Sequence, residues 1–377
     1  MRIALVTETF YPAVDSTTTT LKATADRLVD LGHTVRILAP GPGLASYRGC
    51  EVVRVRPLEP TGGQIRAAID GFEPDLVHAV SPRFVGRKAL KHARRTGVPT
   101  LVVEQSPILD LAADYWRAKV AERADTLLVT APWMVGRVAE LGADAALWQP
   151  GVDPLAFTPR LRDPWLYDSW SRARSKDGPQ VVVGYVGSLH KRNGVRRLAD
   201  LAALQGVRLV VIGDGPERDW LERRLPAARF TGPLHTGDLT VALPTLDVLF
   251  HPGEHETDCH ALREAAASGV PVVAPRSGGA ADVVRHLETG VLYDPADHRD
   301  LRRAVAAVAG DRHRGLLGQA ARTHVARRTW VDAVDELVGS YYRGSTTTSP
   351  LLGGNRNDVT VEPSRRRRAD GSLTRTV

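Results

Sequence analysis

Glu256-Thr-Asp-Cys-His-Ala-Leu-Arg-Glu264-Ala-Ala-Ala-Ser-Gly269-Val-Pro-Val-Val-Ala-Pro275 sets two carboxylates eight residues apart around the start of a short helix. A buried strand follows, then the glycine-rich Ser277-Gly278-Gly279. The first N–H groups of a helix have no intrahelical partner and carry partial positive charge, which suits phosphate. The candidate phosphate-binding positions are therefore Thr257, Asp258, Cys259 and His260. A carboxylate accepts two hydroxyl bonds at once, which suits a sugar. A nucleotide sugar offers both kinds of group.

Outward from this stretch, strand and helix patterns alternate along most of the chain. Short apolar runs predict strands over 2–7, 33–39, 51–55, 75–79, 100–103 and 126–129. Helical spacing predicts helices over 19–31, 85–95 and 133–141, the first ended by Gly32. After a Pro- and Trp-rich connection, the pattern restarts with strands over 181–186, 209–212, 248–251 and 270–274 and helices over 195–204, 217–225 and 261–268. Such alternation implies an α/β fold with parallel sheets covered on both faces. The chain divides into a first Rossmann-like domain (1–165), a linker (166–179), a second Rossmann-like domain (180–325), a C-terminal helix (326–343) and a disordered basic tail (344–377).

Composition narrows the setting. Two cysteines, Cys50 and Cys259, lie far apart and form neither a disulfide framework nor a zinc motif. The opening apolar run is broken at Glu8, too early for a signal-peptide core, and no window reaches the length of a membrane span. A cytoplasmic protein is expected, with peripheral contact at the inner face of an anionic membrane permitted by a net charge of +7. Arg87, Lys88, Lys91, Arg94 and Arg95 form one basic helix that suits such contact. No recognised nucleic-acid motif accompanies the charge, so nucleic acid is not an expected partner.

Several further segments carry a family resemblance. Arg2–Val14 with Gly32-His33-Thr-Val, Pro150-Gly-Val-Asp153 with Phe157 and Pro159, Val183-Gly-Tyr-Val-Gly187 and Val211-Ile-Gly-Asp-Gly-Pro216 join the 256–275 stretch. Together they resemble the retaining nucleotide-sugar glycosyltransferases of family 4, which have the GT-B architecture, over nearly the whole chain to residue 342. The Glu-Thr-x-Cys form resembles actinobacterial lipid-glycosylating members. The resemblance implies a cleft between the domains and a last helix crossing back to the first domain. It implies a hexosyltransferase that uses GDP-mannose or UDP-glucose, retains configuration and needs no metal or cofactor. The acceptor is a lipid or a small molecule. Glu256 would contact the donor sugar and Glu264 the ribose, with Gly187 and Gly213 in glycine turns beside the donor.

The chain departs from the family pattern at four places. Relatives usually have Arg after the glycine and Lys five residues later to clamp the diphosphate, where this chain has Ser188 and Asn193. Lys191 and Arg192 in the same loop are the candidate substitutes. Ser16 stands where relatives often have glycine, and can donate a hydroxyl bond. Gln105 stands at the place of a histidine near the reacting centre and cannot act as a base. Asp258 replaces a phenylalanine. His78, read as a strand-end residue on the ligand side, is a candidate for the cleft. No Asp-x-Asp occurs, which agrees with metal-independent transfer. The alternative reading is a catalytically weak binding or partner protein on the same architecture, because the usual clamp is missing; a nucleotide-sugar epimerase fits the Glu-x7-Glu context less well.

Overall fold

The computed structural model describes residues 1–13, 15–172 and 178–342. The expected basic tail over 344–377 lies outside these residues. Two sheets organise the chain. The first contains β1 (Arg2–Val6), β2 (Thr34–Pro40), β3 (Ser46–Tyr47), β4 (Cys50–Val55), β5 (Leu76–Val80), β6 (Thr100–Glu104), β7 (Thr126–Val129) and β8 (Ala146–Leu147), in the order β3-β4-β2-β1-β5-β6-β7-β8. The second contains β9 (Val181–Val186), β10 (Val207–Ile212), β11 (Arg229–Gly232), β12 (Val248–Phe250), β13 (Val272–Pro275) and β14 (Gly290–Tyr293), in the order β11-β10-β9-β12-β13-β14. Every pairing is parallel except the β3–β4 hairpin. All five residues of β5 and of β6 are buried, because helices cover both faces.

The long central strands match their sequence patterns. The short edge strands β3, β8, β11 and β14 had no legible pattern, since few residues leave little periodicity to read. The expected helix over 195–204 is a 3₁₀ stretch, Val195–Leu201. The first helix begins earlier than predicted, at Ser16. Asp15 caps it by accepting from the Thr18 N–H at 2.9 Å, so the threonine run lies within the helix.

In each sheet the strand order reverses beside the opening strand. β1 lies between β2 and β5, and β9 lies between β10 and β12. Ligand crevices in open α/β sheets form beyond the carboxyl ends of strands at such reversals. The loops after β1, β5, β6, β9, β10 and β12 all face one cleft.

The chain crosses between the halves twice, and the crossings touch. The Val152 N–H donates to Arg328 O and the Trp330 N–H to Val152 O, both at 3.2 Å. Arg328 also donates to Gln149 O at 2.7 Å. A Cβ on Gly151 would sit 2.3 Å from the Thr329 carbonyl oxygen, so only glycine fits there. The last helix, Trp330–Glu336, continues as a π-helical stretch, Leu337–Tyr342. Ala333, Leu337 and Tyr342 pack with Ile3, Leu5 and Ile37 of the first half, and Arg27 pairs with Asp335 at 2.7 Å. The C-terminal helix thus crosses back to the first domain.

The stretch read as a linker, 166–179, differs from expectation. Pro164–Arg172 is a helix whose Trp170 is buried with Phe157, Val182, Val210 and Leu246 against the second sheet. The changeover therefore falls near residues 148–152, ahead of 165. Phe157 and Trp170 each bury a large apolar side chain, which holds this segment to the second half.

The crossing yields a prediction with opposite signs at two glycines. Gly151→Ala should lower stability by about 1–3 kcal/mol through overpacking. Gly136→Ala, at an exposed position of the helix Pro132–Glu140 with nothing within 4 Å of the added Cβ, should raise it by about 0.5–1 kcal/mol. Urea unfolding of both variants checks the pair; equal shifts would contradict the packing at Gly151.

Candidate active site

The cleft between the sheets has a volume of about 1530 Å³. Glu256, Thr257, Asp258, Cys259, His260 and Glu264 all line it, as do Ser16, Gln105, Gly187, Ser188, Arg192 and Gly213. The sequence-predicted residues therefore gather in one place, with two exceptions.

His78 is the first. It is fully buried in β5, and its Nδ1 lies 2.7 Å from the Tyr342 hydroxyl. Burial pushes its pKa down to about 3. Strand alternation places it with Leu76 and Val80 on the sheet face that the C-terminal segment covers, rather than at the open strand end. Lys191 is the second. It is exposed and does not border the cleft, whereas its neighbour Arg192 does.

The helix His260–Ala267 opens on the cleft. Cys259 precedes it in the left-handed region, with φ of 54°, and no side chain caps the helix. Its first N–H groups remain available to an anion. The loop before it is braced from below, where the Gly279 N–H donates to Glu256 O at 2.8 Å. It is also braced across the cleft. Thr257 donates to Gln105 O at 2.6 Å, Trp133 Nε1 donates to Glu256 O at 2.9 Å, and His260 Nε2 lies 3.2 Å from Thr20 Oγ1. His260 also packs against Trp330, with ring centroids 5.5 Å apart. Its imidazole is a strut between the halves, kept neutral by burial, which lowers its pKa to about 4 with help from Arg263.

The three acids of this segment meet three environments. Burial alone would raise Glu256, but the adjacent His251 outweighs it and holds the carboxyl below its usual range. His251 Nε2 approaches Glu256 Oε1 at 3.1 Å, off the hydrogen-bonding axis, so the contact is chiefly electrostatic. Asp258 is raised to about 7 by burial, although a hydrogen bond from Ser16 opposes the shift; the one proton of the Thr257 hydroxyl goes to Gln105 O. Arg263 does not neutralise it; the guanidinium reaches the Asp258 main-chain oxygen at 3.4 Å. Glu264 is also raised to about 7, by burial alone, and has no hydrogen bond or ion pair to its carboxyl among the described residues.

The opposite wall comes from the first half. Gln105 Nε2 donates to Thr20 Oγ1 at 2.6 Å, while its Oε1 has no partner among the described residues. Gly213 and Gly187 cross at the far end. Gly213 has φ of 141°, and a Cβ there would lie 1.9 Å from Gly187 O. Asn193 donates to Ser188 O at 2.9 Å, so it shapes the turn and brings no charge. Sequence reasoning missed Thr20, Trp133, Arg83 and His251. Thr20 was read as part of a helix start, and the others sat inside ordinary helix, loop and strand patterns.

The chain matches Glycosyltransferase Family 4 over residues 17–154 and Glycosyl transferases group 1 over residues 167–324. It is 37% identical over 370 residues to a GDP-mannose-dependent alpha-mannosyltransferase of Mycolicibacterium smegmatis, covering 90% of this chain and 97% of that protein. It is 36% identical to the protein of the same name from Mycobacterium tuberculosis, covering 92% and 98%. Sucrose-phosphate synthase from Thermosynechococcus elongatus has the same fold, with a TM-score of 0.76 and 19% identity over 92% of this chain and 100% of that one. Two parallel-sheet halves around a cleft, with the Glu256–Glu264 segment on its wall, place this chain in the GT-B glycosyltransferases, family 4 in its first half and group 1 in its second.

Proposed function

We propose that the cleft transfers mannose from GDP-mannose to a hydroxyl of a lipid acceptor, with retention of configuration and without a metal ion. The observation that carries this reading is Glu264, a half-buried carboxyl left unpaired on a cleft wall, about one turn along a helix whose N-terminus opens into the same cleft. A ribose supplies the hydroxyls that such a carboxylate accepts. Glu256, held ionised by His251, takes the hydroxyls of the donor sugar. The choice of mannose and GDP is supported by the names of the mycobacterial relatives.

The diphosphate lies between the helix N-terminus at Cys259–His260 and Arg192, with Gly187 and Gly213 allowing close backbone approach. Arg192 replaces the usual clamp; Ser188 and Asn193 bring no charge. As the bond from the sugar to the phosphate breaks, the acceptor oxygen attacks from the same face and a phosphate oxygen takes its proton. No base is then needed in the first half, which suits Gln105. Among the described residues no group of three or more His, Cys, Asp or Glu is placed to hold a metal, in keeping with the lack of Asp-x-Asp. The reading of a catalytically weak partner gains no support, since Arg192 provides the charge that Ser188 and Asn193 lack.

A lipid acceptor is supported by the surface beside the cleft. In the helix Val85–Thr96, Lys91, Arg94 and Arg95 are exposed. Arg87 lies over the Tyr115 ring at 4.5 Å and Lys88 over the Phe84 ring at 4.0 Å. Leu109, Leu111 and Tyr115 project into solvent next to them, and Leu109 also borders the cleft. Cations interleaved with exposed apolar side chains suit an anionic bilayer. Among the described residues no helix is long and apolar enough to cross a membrane.

Four outcomes test this reading. GDP-mannose with a lipid extract should release GDP, and EDTA should leave the rate unchanged; turnover with UDP-glucose alone would reject the donor assignment. Arg192→Ala should lower kcat/KM by about tenfold to a hundredfold, and Lys191→Ala by far less. Glu264→Gln should weaken GDP binding in calorimetry and yet stabilise the fold. The sign follows from linkage. A carboxyl raised to about 7 keeps a proton that the unfolded chain releases above 4.5, so wild-type stability falls as pH rises from 4.5 to 7. The variant escapes that loss and should gain on the order of 1–3 kcal/mol at pH 8 but little at pH 4. On vesicles, Lys91→Glu with Arg95→Glu should reduce binding to anionic lipid about tenfold or more, leaving binding to neutral lipid unchanged.

A further inference from the structure

We propose that Asp258 works as a protonated acid, a positioning residue whose proton completes a hydrogen-bond chain across the cleft and holds the donor-side loop against the first half. The inference rests on the donor side of the function proposed above. Asp258 is only 3% exposed. It stands between Thr257, whose hydroxyl crosses to Gln105, and His260, which crosses to Thr20. The phenylalanine usual at this position could take no part in such a chain.

Three oxygens share too few protons if Asp258 is ionised. Thr257 Oγ1 lies 2.6 Å from Gln105 O and 2.5 Å from Asp258 Oδ1. A main-chain carbonyl only accepts, a carboxylate only accepts, and a hydroxyl has one proton to give. With Asp258 ionised, two acceptors compete for that proton and one close pair of oxygens has none between them. With Asp258 protonated, each contact has its own proton. Asp258 then donates to Thr257 Oγ1, and Thr257 donates to Gln105 O.

The surroundings favour that proton. Burial raises the carboxyl to about 7, and Glu256 on the same loop and Asp15 ahead of the first helix push the same way. Ser16, at the start of that helix, opposes them by donating to the carboxyl, a bond that a protonated acid still accepts at its second oxygen. Neither basic side chain of the segment neutralises Asp258. Arg263 Nε reaches its main-chain oxygen, at 3.4 Å. His260 Nε2 is 3.7 Å from Asp258 Oδ2, beyond hydrogen-bonding distance, and burial keeps the ring neutral. Gln105 meets the loop twice, through its main chain by way of Thr257 and through its side chain by way of Thr20 and His260. When Asp258 ionises, the Thr257 hydroxyl turns to the carboxylate and the Gln105 carbonyl loses its partner. One of the two links is then lost as pH rises through about 7.

The test compares wild type, Asp258→Asn and Thr257→Val as full-length proteins across pH. Asparagine keeps a donor for Thr257 and cannot ionise. In wild type, kcat/KM for GDP-mannose should fall about threefold to tenfold between pH 6 and pH 9, the range of one neutral hydrogen bond. Asp258→Asn should flatten that fall. Thr257→Val should start from the lower value at pH 6 and fall little further. Glu264 ionises over the same range, so Asp258→Asn measured beside wild type isolates Asp258. Infrared difference spectra with isotope-labelled aspartate, taken without substrate, read the proton directly. Wild type should show a protonated-carboxyl band at pH 6 that fades toward pH 9, and Asp258→Asn should lack it. No such band in wild type, an Asp258→Asn rate profile parallel to that of wild type, or the full wild-type fall in Thr257→Val would overturn the proposal. Failure of the donor reading shows separately, as no GDP release from GDP-mannose at any pH, and the infrared spectra still decide the state of Asp258.

Discussion

The Thr257 hydroxyl donates to the Gln105 carbonyl across the gap between the two sheets at 2.6 Å, and the geometry of the donor-side loop depends on that bond. The loop between β12 and the His260–Ala267 helix has no regular structure to hold it. Its shape comes from the cross-cleft set: Thr257 on Gln105, Trp133 on the Glu256 carbonyl and His260 on Thr20. Each neutral bond of this kind contributes about 0.5–1.5 kcal/mol net. The set is strong enough to position the loop and weak enough for ligand binding to shift the relation of the two halves.

That bracing creates an electrostatic problem. Three acids within nine residues are drawn into the cleft wall, where burial opposes their charge. One is solved by a neighbour, since His251 holds Glu256 below the usual carboxylate range. One is partly solved by a hydrogen bond, since Ser16 compensates Asp258. Glu264 is left unsolved. A carboxyl without a partner weakens the folded state and leaves hydroxyl-accepting capacity for a ligand, the usual conflict between stability and function at a binding site.

Much of the fold was legible because it rests on local periodicity. The buried strands β1, β2, β5, β6, β9 and β12 are short, mainly apolar runs, and Gly32 ends a helix visibly. The edge strands were too brief to show a period, and Pro164–Arg172 was hidden by its Pro- and Trp-rich composition. Within the site, the Glu256–Glu264 spacing and the glycine turns at Gly187 and Gly213 were readable, since each is a local motif. His78 was misplaced because its position at a strand end outweighed the alternation that puts it under the C-terminal segment. Lys191 and Arg192 are adjacent and alike in charge, and nothing in their order says which borders the cleft.

By itself, then, the sequence determined two parallel-sheet units, a helix start flanked by two carboxylates, and the lack of the usual cationic pair at Ser188 and Asn193. These are properties of neighbours along the chain. Tertiary structure alone decided that Arg192 borders the cleft while Lys191 does not, that His260 is a strut and that Glu264 is unpaired. Each of those depends on groups far apart in sequence, as Thr257 and Gln105 are at 152 residues, so whether a side chain is paired, buried or free emerges only when the two halves meet.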